Sequence, residues 1–145
     1  MLLADTSGSM NKRMNLLKRS LHDLLARNRE CEIALGCWNT DTEWFSEAWI
    51  HNERFAAAQI WISSLRSNGG TVMQQAIEQA MQKFPDASDV HVMGDGDVTP
   101  FSENSWASFR QQYPRTSFHF IVLNQSSPLS KQMAKIGGGT YREIS

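Results

Sequence analysis

The chain has 145 residues, a net charge of −1, 41% hydrophobic residues and 20% charged residues. That size fits one domain over residues 1–145 with a core of its own, and the near-neutral charge sets up no field that would draw nucleic acid or an anionic membrane. No apolar run approaches the roughly 20 residues needed to cross a bilayer, and no basic region followed by an apolar segment opens the chain, so no membrane span and a cytoplasmic location are expected.

In chain order, Met1 to Ala4 is a short apolar run that ends in Asp5 and a Ser/Gly turn. Met14, Leu17, Leu21, Leu24 and Leu25 recur at helical spacing. Lys12, Arg13, Lys18, Arg19, Arg27 and Arg29 are interleaved with that stripe and read as its solvated face. Cys31 to Trp38 reads as a buried strand. Its two cysteines, Cys31 and Cys37, would lie about 20 Å apart on extended chain, beyond disulfide reach, and are expected as buried thiols in a reducing compartment. Asn39-Thr40-Asp41 is turn chemistry leading to a hairpin strand, Thr42 to Ser46. Asn52 is placed to cap a helix running to about Leu65.

Ser67-Asn68-Gly69-Gly70 breaks the chain, and a helix from Thr71 buries Met73, Ile77, Met81 and Phe84 before Pro85 ends it. Val90 to Met93 is a strand running into Gly94-Asp95-Gly96-Asp97. A helix over Glu103 to Gln112, a strand over Ser117 to Leu123, a helix over Pro128 to Lys135 stopped by Gly137-Gly138-Gly139, and a strand over Thr140 to Ile144 complete the chain. The order β-α-β-β-α-α-β-α-β-α-β predicts an α/β fold: a mostly parallel six-stranded sheet with helices on both faces and one antiparallel strand.

Sites in open α/β sheets form at the carboxyl ends of strands where the strand order reverses. Two strands here end in an acidic residue followed by a glycine-containing loop, at Asp5 and at Asp95, and Gly69-Gly70-Thr71 precedes a helix between them. If those strands are neighbours, Asp5, Ser7, Ser9, Thr71 and Asp95 can converge. This is an all-oxygen set, the kind of donor that hard cations such as Mg²⁺ or Mn²⁺ prefer. Each piece alone has a plainer role as a helix cap or turn residue. Asp97 adds a carboxylate that is expected to face water.

Asp5-Thr6-Ser7-Gly8-Ser9-Met10, then Gly69-Gly70-Thr71, then Asp95-Gly96, resembles the metal-ion-dependent adhesion site of von Willebrand factor A (VWA) domains, whose pattern is D-x-S-x-S, a later Thr and a later Asp. The likeness extends over nearly the whole chain, although the family usually has a longer first strand and often has Thr where Gly94 stands. It implies a Rossmann-like three-layer fold with the site at the top edge of the sheet. It also implies Ser7 and Ser9 as direct metal ligands, with Asp5, Thr71 and Asp95 binding directly or through water. A carboxylate of a protein partner would complete the coordination. Family members serve as adhesion modules or adaptors, including with AAA-type ATPases, and the resemblance implies no catalysis.

Other chemistry finds less support. His22, His51, His91 and His119 show no zinc spacing. Trp44, Trp49 and Trp61 read as packing residues, with a partner-binding patch as the other use of so many indoles. The enzyme alternative is a haloacid dehalogenase-like, Mg²⁺-dependent phosphatase, which also places an Asp after its first strand. That class needs a second Asp where this chain has Ser7, and it leaves Gly69-Gly70-Thr71 without a role.

Overall fold

The computed structural model describes residues 1–70, 73–96 and 102–145. Its strands are β1 (Leu2–Asp5), β2 (Leu35–Trp38), β3 (Thr42–Trp44), β4 (Asp89–Gly94), β5 (Ser117–Leu123) and β6 (Gly138–Ile144). The helices are α1 (Met14–Arg27), α2 (Phe55–Ser64), α3 (Met73–Lys83), α4 (Glu103–Gln112) and α5 (Pro128–Ile136). They follow the expected order, with 3-10 turns at Gly8–Arg13 and Asn52–Arg54 leading into α1 and α2.

The strands form one six-stranded sheet in the order β3-β2-β1-β4-β5-β6. Every pairing is parallel except β2 with β3, the hairpin that puts an antiparallel strand at one edge. The inner strands are buried on both faces because successive side chains alternate between two cores. Leu3, Trp38, Val92, Phe118 and Phe120 pack with Met73 and Ile77 of α3, Trp106 of α4 and Met133 of α5. Leu2, Ala4, Cys37, Met93, Ile121 and Leu123 pack with Leu17 and Leu21 of α1 and Ile62 of α2. Each fully buried Leu, Ile or Phe in these layers contributes about 1.5–3 kcal/mol relative to exposure.

Three local expectations need correction. The chain turns after α1, where Cys31 N donates to Asn28 O at 3.0 Å, and β2 begins only at Leu35. Cys31 is therefore exposed, and only Cys37 is a buried thiol. Asn52 lies inside its 3-10 turn, and no side chain caps that turn. Gly138 and Gly139 belong to β6 and pair beside Phe118, so Gly137 alone ends α5, donating to Met133 O.

The basic side chains around α1 are exposed or half-buried, as a solvated face should be. Arg13 departs from that role: its Nε donates to Leu123 O at 2.9 Å and ties the turn after β1 to the end of β5. The tryptophans behave as packing residues, Trp44 and Trp49 against Phe84 and Trp61 against Phe45.

Candidate metal centre

The strand order reverses at β1 and β4, which lie side by side with Ala4 opposite Met93. Asp5 ends β1 and Asp95 follows the last residue of β4, so two carboxylates from distant parts of the sequence meet at one edge of the sheet. Both side chains are buried, Asp5 at 0% and Asp95 at 1% relative exposure.

Beyond Asp5 the chain curls into the 3-10 turn Gly8–Arg13 and presents two hydroxyls. The Ser7 backbone N–H donates to Asp5 Oδ1 at 2.8 Å. Ser7 Oγ and Ser9 Oγ lie 3.1 Å apart. Ser9 Oγ donates to Asp95 Oδ2 at 2.5 Å. Asp5, Ser7, Ser9 and Asp95 thus form one connected cluster, with Ser7 buried and Ser9 open to solvent. The fifth residue of the expected set, Thr71, and the neighbouring Asp97 lie outside the described residues.

The electrostatics of the cluster favour an incoming positive charge. Asp5 is pushed up to about 6, first because burial strips water from its charged form and also because Asp95 repels it, while hydrogen bonds from Ser7 oppose the shift. Asp5 Oδ2 is buried without a hydrogen-bond partner among the described residues. Trp38 Nε1 is in the same condition, and Trp38 faces Asp5 across the β1–β2 ladder. Both residues line a cavity of about 10 Å³ together with Met73, Val92, Gly94 and Gly96. Gly94 is fixed by this approach: a Cβ there would stand 2.8 Å from Asp5 Cβ and 3.1 Å from Asp5 Oδ2.

The donor chemistry fits a hard divalent ion. The cluster offers carboxylate and hydroxyl oxygens, and a buried carboxylate oxygen with no partner among the described residues is a costly feature that a nearby cation or its water shell would offset. Among the described residues no three His, Cys, Asp or Glu side chains group closely enough to hold a metal. Any ion held here would therefore depend on the serines as much as on the two aspartates.

The histidines lie elsewhere. His91 and His119 stack at 4.6 Å in the middle strands, away from the carboxyl end. His119 hydrogen-bonds Asp89 at 2.8 Å and Thr140 at 3.0 Å.

Sequence reasoning did not connect Trp38, which pairs with Asp5, or Arg13, whose Nη1 donates to Ser9 O, with the cluster.

Residues 1–143 match the family described as von Willebrand factor type A domain. No curated protein matches the chain as a relative. Among solved structures, an aerotolerance-related membrane protein from Bacteroides fragilis, with multiple mutations to serines, is similar at TM-score 0.77 and 16% identity, covering 100% of this chain and 90% of that one. A von Willebrand factor type A protein from Catenulispora acidiphila is similar at TM-score 0.76 and 19% identity, covering 99% of this chain and 38% of that one. The manganese-loaded TRAP protein of Plasmodium vivax is similar at TM-score 0.73 and 17% identity, covering 99% of this chain and 66% of that one. This chain thus spans less than two thirds of the second and just under two thirds of the third.

Proposed function

The chain belongs to the von Willebrand factor type A domain family, and from that premise we propose that it is a non-enzymatic module binding a protein partner through one divalent cation, Mg²⁺ or Mn²⁺. Domains of this family typically serve as adhesion or protein-interaction modules. The observation that carries the metal reading is the convergence of Asp5, Ser7, Ser9 and Asp95 on one sheet edge, with Asp5 Oδ2 buried and without a partner among the described residues. A manganese-loaded relative of the same fold, at 17% identity, makes that ion class a natural one to test.

In this reading Ser7 and Ser9 hold the ion directly, and Asp5, Thr71 and Asp95 hold it directly or through water. A bound cation would supply a Lewis-acidic position able to accept a carboxylate oxygen from the partner. The chain's own residues do the rest. The Ser7 N–H orients Asp5 through Oδ1, and Ser9 is poised between Asp95 and solvent, where a partner's carboxylate would have access. Ser7 also supplies no acid for phosphoryl chemistry, which agrees with a binding role.

Calorimetric titration of Mg²⁺ and Mn²⁺ into the wild type and Asp5→Ala tests this. We expect one site in the wild type and a loss of about 100-fold or more in Asp5→Ala, since even outer-sphere changes cost about 10–100-fold. A wild type that binds neither ion would contradict the metal reading. Turnover of a generic phosphate ester would contradict the non-enzymatic one.

A further inference from the structure

The turn between β2 and β3 touches the glycine loop that precedes α3. Thr40 lies at that turn, exposed to solvent, and its Oγ1 accepts a hydrogen bond from Gly70 N at 3.1 Å. Gly69 adopts φ +72°, and a Cβ on it would overlap Thr40 Oγ1. The loop at 68–70 is therefore moulded around the Thr40 hydroxyl, and only glycine meets both conditions at residue 69.

The same loop is bound from its other side by the turn after β1. Gly8 N donates to Gly69 O at 3.0 Å, and Asn68 N donates to Thr6 O at 2.8 Å. Thr6 in turn is tied to β2, its N donating to Trp38 O at 2.7 Å and its Oγ1 to the same oxygen at 3.0 Å. Three chain segments thus meet in one hydrogen-bonded frame: the Ser7–Ser9 turn, the glycine loop and the β2–β3 turn. Gly8 stands between the two serines of the site, and Gly70 is one peptide link before Thr71. Of the contacts that hold the glycine loop, the one from Thr40 is made by a side chain, so it can be removed by substitution without touching the backbone frame.

We propose that Thr40 is a positioning residue of the metal site, its hydroxyl fixing the Gly69-Gly70 loop and, through the hydrogen bond from Gly8 N to Gly69 O, the Ser7–Ser9 turn. The inference rests on the metal reading above. Residues that orient ligands from outside the coordination sphere typically change affinity by about 10–100-fold. Thr40 is exposed, so its replacement removes a hydrogen bond and leaves the core intact.

The test compares wild type, Thr40→Val and Thr40→Ser by two readouts. Amide hydrogen exchange at Gly70 is followed by NMR without metal, and Mn²⁺ affinity by calorimetry. Thr40→Val is expected to speed exchange at Gly70 and weaken Mn²⁺ binding about 10-fold, while Thr40→Ser, which keeps the acceptor, restores both. Wild-type binding of Mn²⁺ with unchanged affinity in Thr40→Val would overturn the positioning role and leave the metal reading standing. Unchanged Gly70 exchange in Thr40→Val would overturn it as well, as would failure of Thr40→Ser to restore binding. A wild type that binds no Mn²⁺ would end both.

Discussion

Gly94 holds the last position of β4, where any side chain would press on the Asp5 carboxylate. A single added methyl would sit closer to Asp5 than van der Waals contact allows, so it must push the carboxylate, the strand end, or both. Overpacking of this kind costs about 1–3 kcal/mol. Gly94→Ala is therefore expected to remain folded in a denaturant titration but to lose about 10-fold or more in Mn²⁺ affinity, because the displaced group is an expected ligand. Unchanged affinity would show that Asp5 is not held where the ion binds. The residues of the cluster were legible because the D-x-S-x-S run and the later Asp each sit just past an apolar run that could be read as a strand. Thr40 and Trp38 were not legible in this way. Their roles come from which strands are neighbours and from a loop folding back on a turn, and neither fact leaves a local mark in the sequence.

Among the elements, the helices were read most securely, since the 3.6-residue stripes of α1 and α3 face the two cores as their periodicity requires. Strand ends were read less well. Apolar composition made Cys31 to Ala34 look like strand, whereas the backbone there is still leaving the turn after α1, with only an isolated bridge from Ile33 to Ile50. Three consecutive glycines suggested a stop, yet two of them open β6, where Gly139 lies too near the Phe118 backbone for a side chain. The pairing of β4 with β5 has a consequence at acidic pH. It sets His91 beside His119. Burial, and then the positive charge of His119, lowers His91 from 6.5 to about 4. Between those values the unfolded chain takes up the proton more readily than the folded one. This contribution to stability is therefore complete above pH 6.5 and declines as the pH falls toward 4. One proton corresponds to at most about 1.4 kcal/mol per pH unit. Asp89, held below the usual carboxylate range chiefly by its hydrogen bond with His119, adds stability that is lost at still lower pH. Urea unfolding at pH 7 and pH 5 should show the wild type losing more stability than His91→Gln, and equal losses would remove His91 as a source of the acid sensitivity.

For the molecule as a whole, alternation of apolar strands with amphipathic helices was enough to infer a parallel sheet covered on both sides, and the short Asn39-Thr40-Asp41 connection was enough to infer its one antiparallel pairing. The strand order was the step the sequence left open. The order β3-β2-β1-β4-β5-β6 places the reversal between β1 and β4, so the two acidic strand ends become neighbours at the crevice outside their carboxyl ends, where open α/β sheets generally place their sites. Membership of the von Willebrand factor type A family and the converging oxygens then point the same way. Crystals grown with Mn²⁺ and measured for anomalous scattering at the manganese edge test that convergence directly. The account predicts one strong peak at the carboxyl ends of β1 and β4, within bonding distance of Ser7 and Ser9. A peak elsewhere, or none from protein saturated with Mn²⁺, would contradict it.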